Sequence, residues 1–123
     1  LADGLLRSLR ASGFATDHVA SGSEADAALA SNEFDLVILD LGLPKLHGLE
    51  VLRELRETPR TRLLPVVILS ASSERRDVRS AALLGANSYV CKPHDYGRLR
   101  ETVELLGRYW LDLNIPPPPT PPP

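Results

Sequence analysis

Apolar positions along the chain alternate between two periods. Phe34–Leu39, Pro65–Leu69 and Ser88–Cys91 are short apolar runs bounded by polar residues and rich in Val, Ile and aromatic side chains. Such runs predict strands, and the first two are apolar enough to be buried on both faces of a sheet. Between them the apolar positions space themselves for helices. Leu1, Leu5, Leu6 and Leu9 form one stripe, with Gly13 where a C-terminal cap belongs, and a short strand is predicted over Phe14–Ala20. Ser21–Glu24 fits a capping box leading into the helix-forming stretch Ala25–Ala30. Gly42, Pro44 and Gly48 predict a loop over Leu41–Gly48, followed by a helix face of Leu49, Leu52 and Leu55 that Pro59 ends. Ser72 or Ser73 is placed to cap a helix running through Val78, Ala81 and Ala82 and closed by Gly85. Asp95 is placed to cap a last helix whose apolar face is Leu99, Val103, Leu106 and Trp110. Strand and helix in alternation predict an α/β domain, a parallel sheet with helices on both faces.

Composition narrows the function classes. The 123 residues carry 14 Lys plus Arg against 16 Asp plus Glu, a net charge of −2, without the basic excess of a dedicated nucleic-acid surface. Twelve of the basic residues are Arg; the lysines are Lys45 and Lys92. The lone Cys91 excludes an internal disulfide and a cysteine zinc site, suits a reducing cytoplasm, and is expected to pack in the core. No apolar run approaches the length of a membrane span, so no membrane partner is expected. Seven of the eleven prolines fall in Pro116–Pro119 and Pro121–Pro123. The expected division is therefore a domain over residues 1–115 and a solvated proline-rich tail over 116–123.

The polar residues that follow the strands carry the chemistry. The first run leads into Asp40, the second into Ser70 and the third into Lys92. In an open parallel sheet, ligands bind beyond the carboxyl ends of the strands, so these side chains should converge. Singly, each has an ordinary explanation as a turn former, a cap or a solvated charge. Together, a carboxylate, a hydroxyl and an ammonium suit phosphoryl transfer: the carboxylate attacks phosphorus and the other two bind the oxygens of the transferred group.

These residues resemble a known family. Phe34-Asp-Leu-Val-Ile-Leu-Asp40-Leu-Gly-Leu-Pro44 resembles the phosphoacceptor segment of response-regulator receiver domains. Ser70-Ala71 is similar to the family's Thr/Ser-Ala step and Lys92-Pro93 to its Lys-Pro step, in order and at the family's spacing, and Gly85-Ala-Asn-Ser-Tyr89 resembles the segment before that lysine. The resemblance covers about residues 1–110. It implies a flavodoxin-like, CheY-like three-layer α/β/α fold with five parallel strands ordered 2-1-3-4-5. It implies that Asp40 accepts a phosphoryl group from a sensor histidine kinase with Mg²⁺ bound, Gly42 lending its backbone carbonyl to the metal. Lys92 would pair with the acyl phosphate, Ser70 would swing toward it, and Tyr89 would follow from an outward to an inward rotamer. The bond before Pro93 would be cis, and the surface of the fourth helix, fifth strand and fifth helix would present the change to a downstream protein partner.

Several positions depart from the pattern. Family members begin with a strand ending in two acids that hold Mg²⁺; here that strand would precede Leu1, and Asp3, within the stretch resembling the first helix, is no substitute. The expectation is of a receiver whose first strand is truncated from these residues or supplied in trans, so that they alone would neither bind Mg²⁺ nor accept phosphate efficiently. His47, where many receivers carry Asp, is expected to be a helix-start variation and not a metal ligand. Residues 1–57 resemble receivers that precede winged-helix DNA-binding domains, whereas 58–115 resemble stand-alone receivers, including partners of bacterial phytochromes. A single-domain cytoplasmic regulator is favoured, with a homodimer contact through the last helix and Tyr109-Trp110-Leu111. The alternatives are a receiver fragment of a DNA-binding transcriptional regulator and a pseudo-receiver that is never phosphorylated. A haloacid-dehalogenase-type phosphatase is disfavoured because its general acid would stand at Gly42, so no turnover enzyme is expected.

Overall fold

The computed structural model of the chain describes Gly13 and residues 27–29, 34–41 and 45–118, the side chains of 45–47 excepted. In order, the elements are β1 (Val37–Leu41), α1 (Lys45–Glu57), β2 (Val66–Ser70), α2 (Arg75–Leu83), β3 (Ser88–Cys91) and α3 (Tyr96–Gly107), the last continued by a π-helical segment, Arg108–Leu113. Residues 27–29 are helical, within the expected Ala25–Ala30 helix. The Leu1–Leu9 helix, the Phe14–Ala20 strand and the Ser21–Glu24 capping box lie outside the described residues.

The three strands form a parallel sheet in the order β1-β2-β3. Val37 pairs with Val66 and Leu41 with Ser70, while Val67 pairs with Ser88 and Ser70 with Cys91. Because side chains alternate across a strand, this register sorts the sheet into two faces. Leu41, Val66 and Ile68 pack with Leu52 and Leu55 of α1 and Ala81 of α2, with Leu39 and Tyr89 against the same cluster. On the other face Leu69 packs with Leu99 and Val103 of α3, beside Ile38 and Val90. The architecture is thus helix, sheet, helix, and every residue of the central strand β2 is buried. Each fully buried Leu, Ile or Val contributes about 1.5–3 kcal/mol relative to exposure.

Four features differ from the sequence expectation. Val37–Leu39 of β1, expected to be buried on both faces, are half-buried. The loop expected over Leu41–Gly48 is shorter: Leu41 belongs to β1 and α1 already starts at Lys45. Gly48 reads as a turn signal but sits in a helix, where a Cβ would collide with the Leu41 side chain, so it is there for close packing. The last helix extends to Leu113, closed by an i→i−5 bond in which Asn114 N donates to Tyr109 O at 2.6 Å. Gly85, with φ of +102°, closes α2 as expected. Asp95 caps α3, its Oδ2 accepting from Arg98 N at 3.0 Å.

Opposite the strand ends of interest, one side chain stitches the N-terminal edge of the sheet together. Arg56, in the last turn of α1, donates to the carbonyls of Gly85 (2.9 Å), Thr61 (3.2 Å), Arg62 (3.0 Å) and Leu64 (2.8 Å) and to Asn87 Oδ1 (2.7 Å). Asn87 Oδ1 also accepts from Val66 N at 2.8 Å, which ties this cluster to the start of β2. Partial burial pulls the Arg56 pKa below the ordinary arginine value.

Candidate functional site

At the carboxyl end of the sheet the register places Asp40 one residue before the end of β1, Ser70 at the end of β2 and Lys92 just past β3. Lys92 is held there by its backbone N–H, which donates to Ser70 O at 2.6 Å and prolongs the β2–β3 pairing by one step. Parity then decides which side chains meet. Asp40 stands opposite Leu69, and Leu69 opposite Val90, two residues before Lys92. Asp40 and Lys92 therefore project to the α3 face, and Lys92 Nζ lies 2.9 Å from Asp40 Oδ2. The side chains are 54% and 30% exposed, so this pair is open to solvent and to an incoming group.

Ser70 and Tyr89 lie on the opposite parity, facing α1 and α2. Ser70 is 1% exposed. Its Oγ accepts from the backbone N–H of Ser72 at 3.1 Å, and a hydroxyl that accepts one bond still has its own O–H to donate. Tyr89 is half-buried against the core and donates its O–H to the carbonyl of Ser72 at 2.8 Å. The structure thus makes two pairs of the four expected residues: Asp40 with Lys92 directly, and Ser70 with Tyr89 through Ser72.

Ser72 is the residue that sequence reasoning assigned differently. The N-cap of α2 is Glu74, which makes no side-chain cap bond. Ser72 Oγ instead donates to Asp77 Oδ2 at 2.5 Å and accepts from Glu74 N at 3.3 Å. Cys91 is also corrected: it is exposed at the end of β3, not packed in the core, its Sγ facing Ala71 O at 4.0 Å. Gly42 lies outside the described residues, and of His47 the backbone alone is described, inside α1.

A hard divalent cation takes oxygen ligands, Mg²⁺ usually through one or two carboxylates completed by water and phosphate oxygens. Asp40 is a suitable first carboxylate at the strand ends. Among the described residues no group of three or more His, Cys, Asp or Glu side chains is placed to hold a metal. A groove of about 240 Å³ opens beside Lys92, lined by Ala71, Pro93, His94, Tyr96 and Leu99. No helix among the described residues is long and apolar enough to cross a membrane.

Comparison with known proteins gives a consistent result. Residues 1–104 match the family model of the response regulator receiver domain. The chain is 39% identical over 116 residues to response regulator protein PmrA of Pseudomonas aeruginosa, covering 94% of this chain and 52% of that protein. It spans about half the length of the curated relatives it matches. Among solved structures it resembles the phosphorylated cyanobacterial phytochrome response regulator RcpA, with a TM-score of 0.80 and 30% identity, covering 95% of this chain and 91% of that one. The Mn²⁺-bound form of response regulator Rcp1 gives a TM-score of 0.77 at 28% identity with the same coverage.

Proposed function

The chain belongs to the response-regulator receiver family, with its CheY-like fold, and from that premise we propose that Asp40 is its phosphoacceptor and Lys92, Ser70 and Tyr89 its switch. Receiver domains take part in two-component signalling as regulatory switches between sensor kinases and downstream partners. The observation that carries the assignment is the 2.9 Å contact between Lys92 Nζ and Asp40 Oδ2, which joins residues 52 apart at the carboxyl end of a parallel sheet.

The chemistry follows from that contact. A carboxylate oxygen of Asp40 attacks the phosphorus of a phosphohistidine on a sensor kinase. A P–O bond forms, giving an acyl phosphate, as the P–N bond breaks, and the imidazole leaves with a proton from solvent. The transition state is loose and its charge spreads over the phosphoryl oxygens, so positioning and cationic neutralisation do most of the work. Lys92 supplies one positive charge at the reacting carboxylate. A divalent cation, Mg²⁺ in this reading, would supply further positive charge during transfer, held by Asp40, the Gly42 carbonyl and the acidic pair that family members carry on the preceding strand. After transfer, Lys92 pairs with the acyl phosphate and the Ser70 O–H turns toward a phosphoryl oxygen. Differential contacts of this kind bias a two-state equilibrium that Tyr89 reports.

The downstream partner is a protein docking on α2, β3 and α3, the surface connected to Ser70 and Tyr89. The net charge of −2 supports a protein partner over direct nucleic-acid contact, and a cytoplasmic setting beside the kinase belongs to the same reading. A homodimer is part of it too. Leu105, Tyr109 and Leu113 recur every four residues and are 65%, 50% and 73% exposed, while Tyr109 packs edge-on to Trp110 at 5.1 Å between centroids. A domain boundary near residue 115 is supported by the extended backbone at Asn114 and the exposed residues that follow. The test is transfer from a phosphorylated histidine kinase to the full-length protein and to Asp40→Asn. Label on the parent and none on the variant is expected; equal label on both overturns the assignment.

A further inference from the structure

Ser72 is bonded to both members of the buried pair at once. Its N–H donates to Ser70 Oγ, its C=O accepts from Tyr89 O–H at 2.8 Å, and its own hydroxyl donates to Asp77 in the first turn of α2. The peptide groups of a loop residue are free to rotate unless something fixes them. Here the fixing comes from a carboxylate on a helix, with a second bond from Glu74 N to the same hydroxyl at 3.3 Å. A charged acceptor makes the stronger kind of hydrogen bond. Ser72 is therefore held with its N–H aimed at Ser70 and its carbonyl aimed at the inward Tyr89 ring.

We propose that Ser72 and Asp77 form a clamp that positions both switch residues, holding Tyr89 inward and Ser70 with its O–H available to a phosphoryl oxygen. This rests on the assignment of Ser70 and Tyr89 as the switch. The clamp lowers the reorganisation needed on phosphorylation, because the Tyr89 ring is already held inward and the Ser70 O–H has only to turn. Neither Ser72 nor Asp77 touches the transferred group; both are positioning residues.

The experiment uses the full-length protein with Ser72→Ala, Asp77→Ala and Ser72→Thr. Two readouts are taken: the NMR environment of the Tyr89 ring without ligand, and the affinity for beryllofluoride, a phosphoryl mimic, in the presence of Mg²⁺. In both alanine variants the Tyr89 resonances are expected to move toward solvent-exposed values and the mimic to bind about 5–10-fold more weakly, the low end of typical coupling between sites. Ser72→Thr keeps the hydroxyl and should stay within about twofold of the parent, whereas general loosening of α2 would not be rescued by a hydroxyl. If Asp77→Ala unfolds for want of its first-turn acid, Ser72→Ala decides alone. An unmoved Tyr89 ring with parental affinity in Ser72→Ala overturns the clamp. A parent that fails to bind the mimic overturns the phosphoacceptor assignment instead, and the Tyr89 ring then still decides the clamp.

Discussion

Replacing Arg56 should damage the fold far more than its place on a half-exposed helix end suggests. Its guanidinium makes five hydrogen bonds to neutral acceptors on the Thr61–Leu64 loop and the Gly85–Asn87 turn. Three of the five are part-buried. A bond from a charged donor contributes about 1.5–3 kcal/mol net, but three of these acceptors share the two N–H groups of Nη1, so simple addition overstates the sum. Counting the Nε bond and one part-buried Nη1 bond at the low end, and letting the other acceptors rehydrate, gives a loss of about 3 kcal/mol for Arg56→Met. For a domain of this size that corresponds to a fall in Tm of about 10–20 °C. Lysine is a point charge without the planar fork, so Arg56→Lys should recover less than half. The assay is urea unfolding followed by circular dichroism, read as a shift in midpoint at constant slope. Burial lowers the Arg56 pKa, so the charged form is slightly disfavoured on folding and that cost is relieved only when pH rises through the folded-state value, far above neutrality. The Arg56 contribution should therefore be flat between about pH 5 and 9. A loss below about 1 kcal/mol for Arg56→Met, or a lysine variant as stable as the parent, would refute the reasoning.

Three other outcomes follow from the same geometry. Lys92→Met should change stability by less than about 1 kcal/mol, because a pair this exposed is weak, yet slow phosphorylation of Asp40 about tenfold or more through lost charge neutralisation; stopped-flow labelling and thermal melts together check it. Gly85→Ala should cost about 2 kcal/mol or more, since φ is +102° and the new Cβ would press on Arg56 Cγ at 2.9 Å; urea midpoints measure it. Leu105→Arg with Tyr109→Ser should leave a monomer with native circular dichroism while the parent sediments as a dimer, because both side chains are exposed on one stripe; sedimentation velocity decides.

Much of this architecture is visible in the sequence because the strands announce themselves. Val66–Leu69 is apolar without interruption, and its strand is buried throughout. Placement of Asp40, Ser70 and Lys92 at adjacent strand ends follows from alternation alone, and the Asp95 cap follows from an aspartate standing just before the last helix's apolar face. What escapes is whatever depends on three-dimensional neighbours. Arg56 in the last turn of a helix reads as a solvated charge, since nothing local reveals that two distant turns aim carbonyls at it. Gly48 reads as a loop because the Leu41 side chain it accommodates comes from another element. Ser72 reads as a helix cap because a serine two or three residues before a helix usually is one. Its bond to Asp77 instead sends its peptide groups toward Ser70 and Tyr89. Cys91 alternates correctly for burial, yet as the last residue of β3 it is exposed. The positions of Asp40, Ser70 and Lys92 at the strand ends were legible, whereas the parity that puts Asp40 with Lys92 and Ser70 with Tyr89 required the register.

The central claim is that Asp40 carries the phosphoryl group. Full-length protein is phosphorylated by its kinase or by acetyl phosphate with Mg²⁺, reduced with borohydride to convert an acyl phosphate into a homoserine residue, digested and sequenced by mass spectrometry. The expected result is homoserine at position 40, in the peptide containing Leu39 and Leu41, and nowhere else. Conversion at another acidic residue, or a phosphorylated protein with an intact Asp40, would contradict the account.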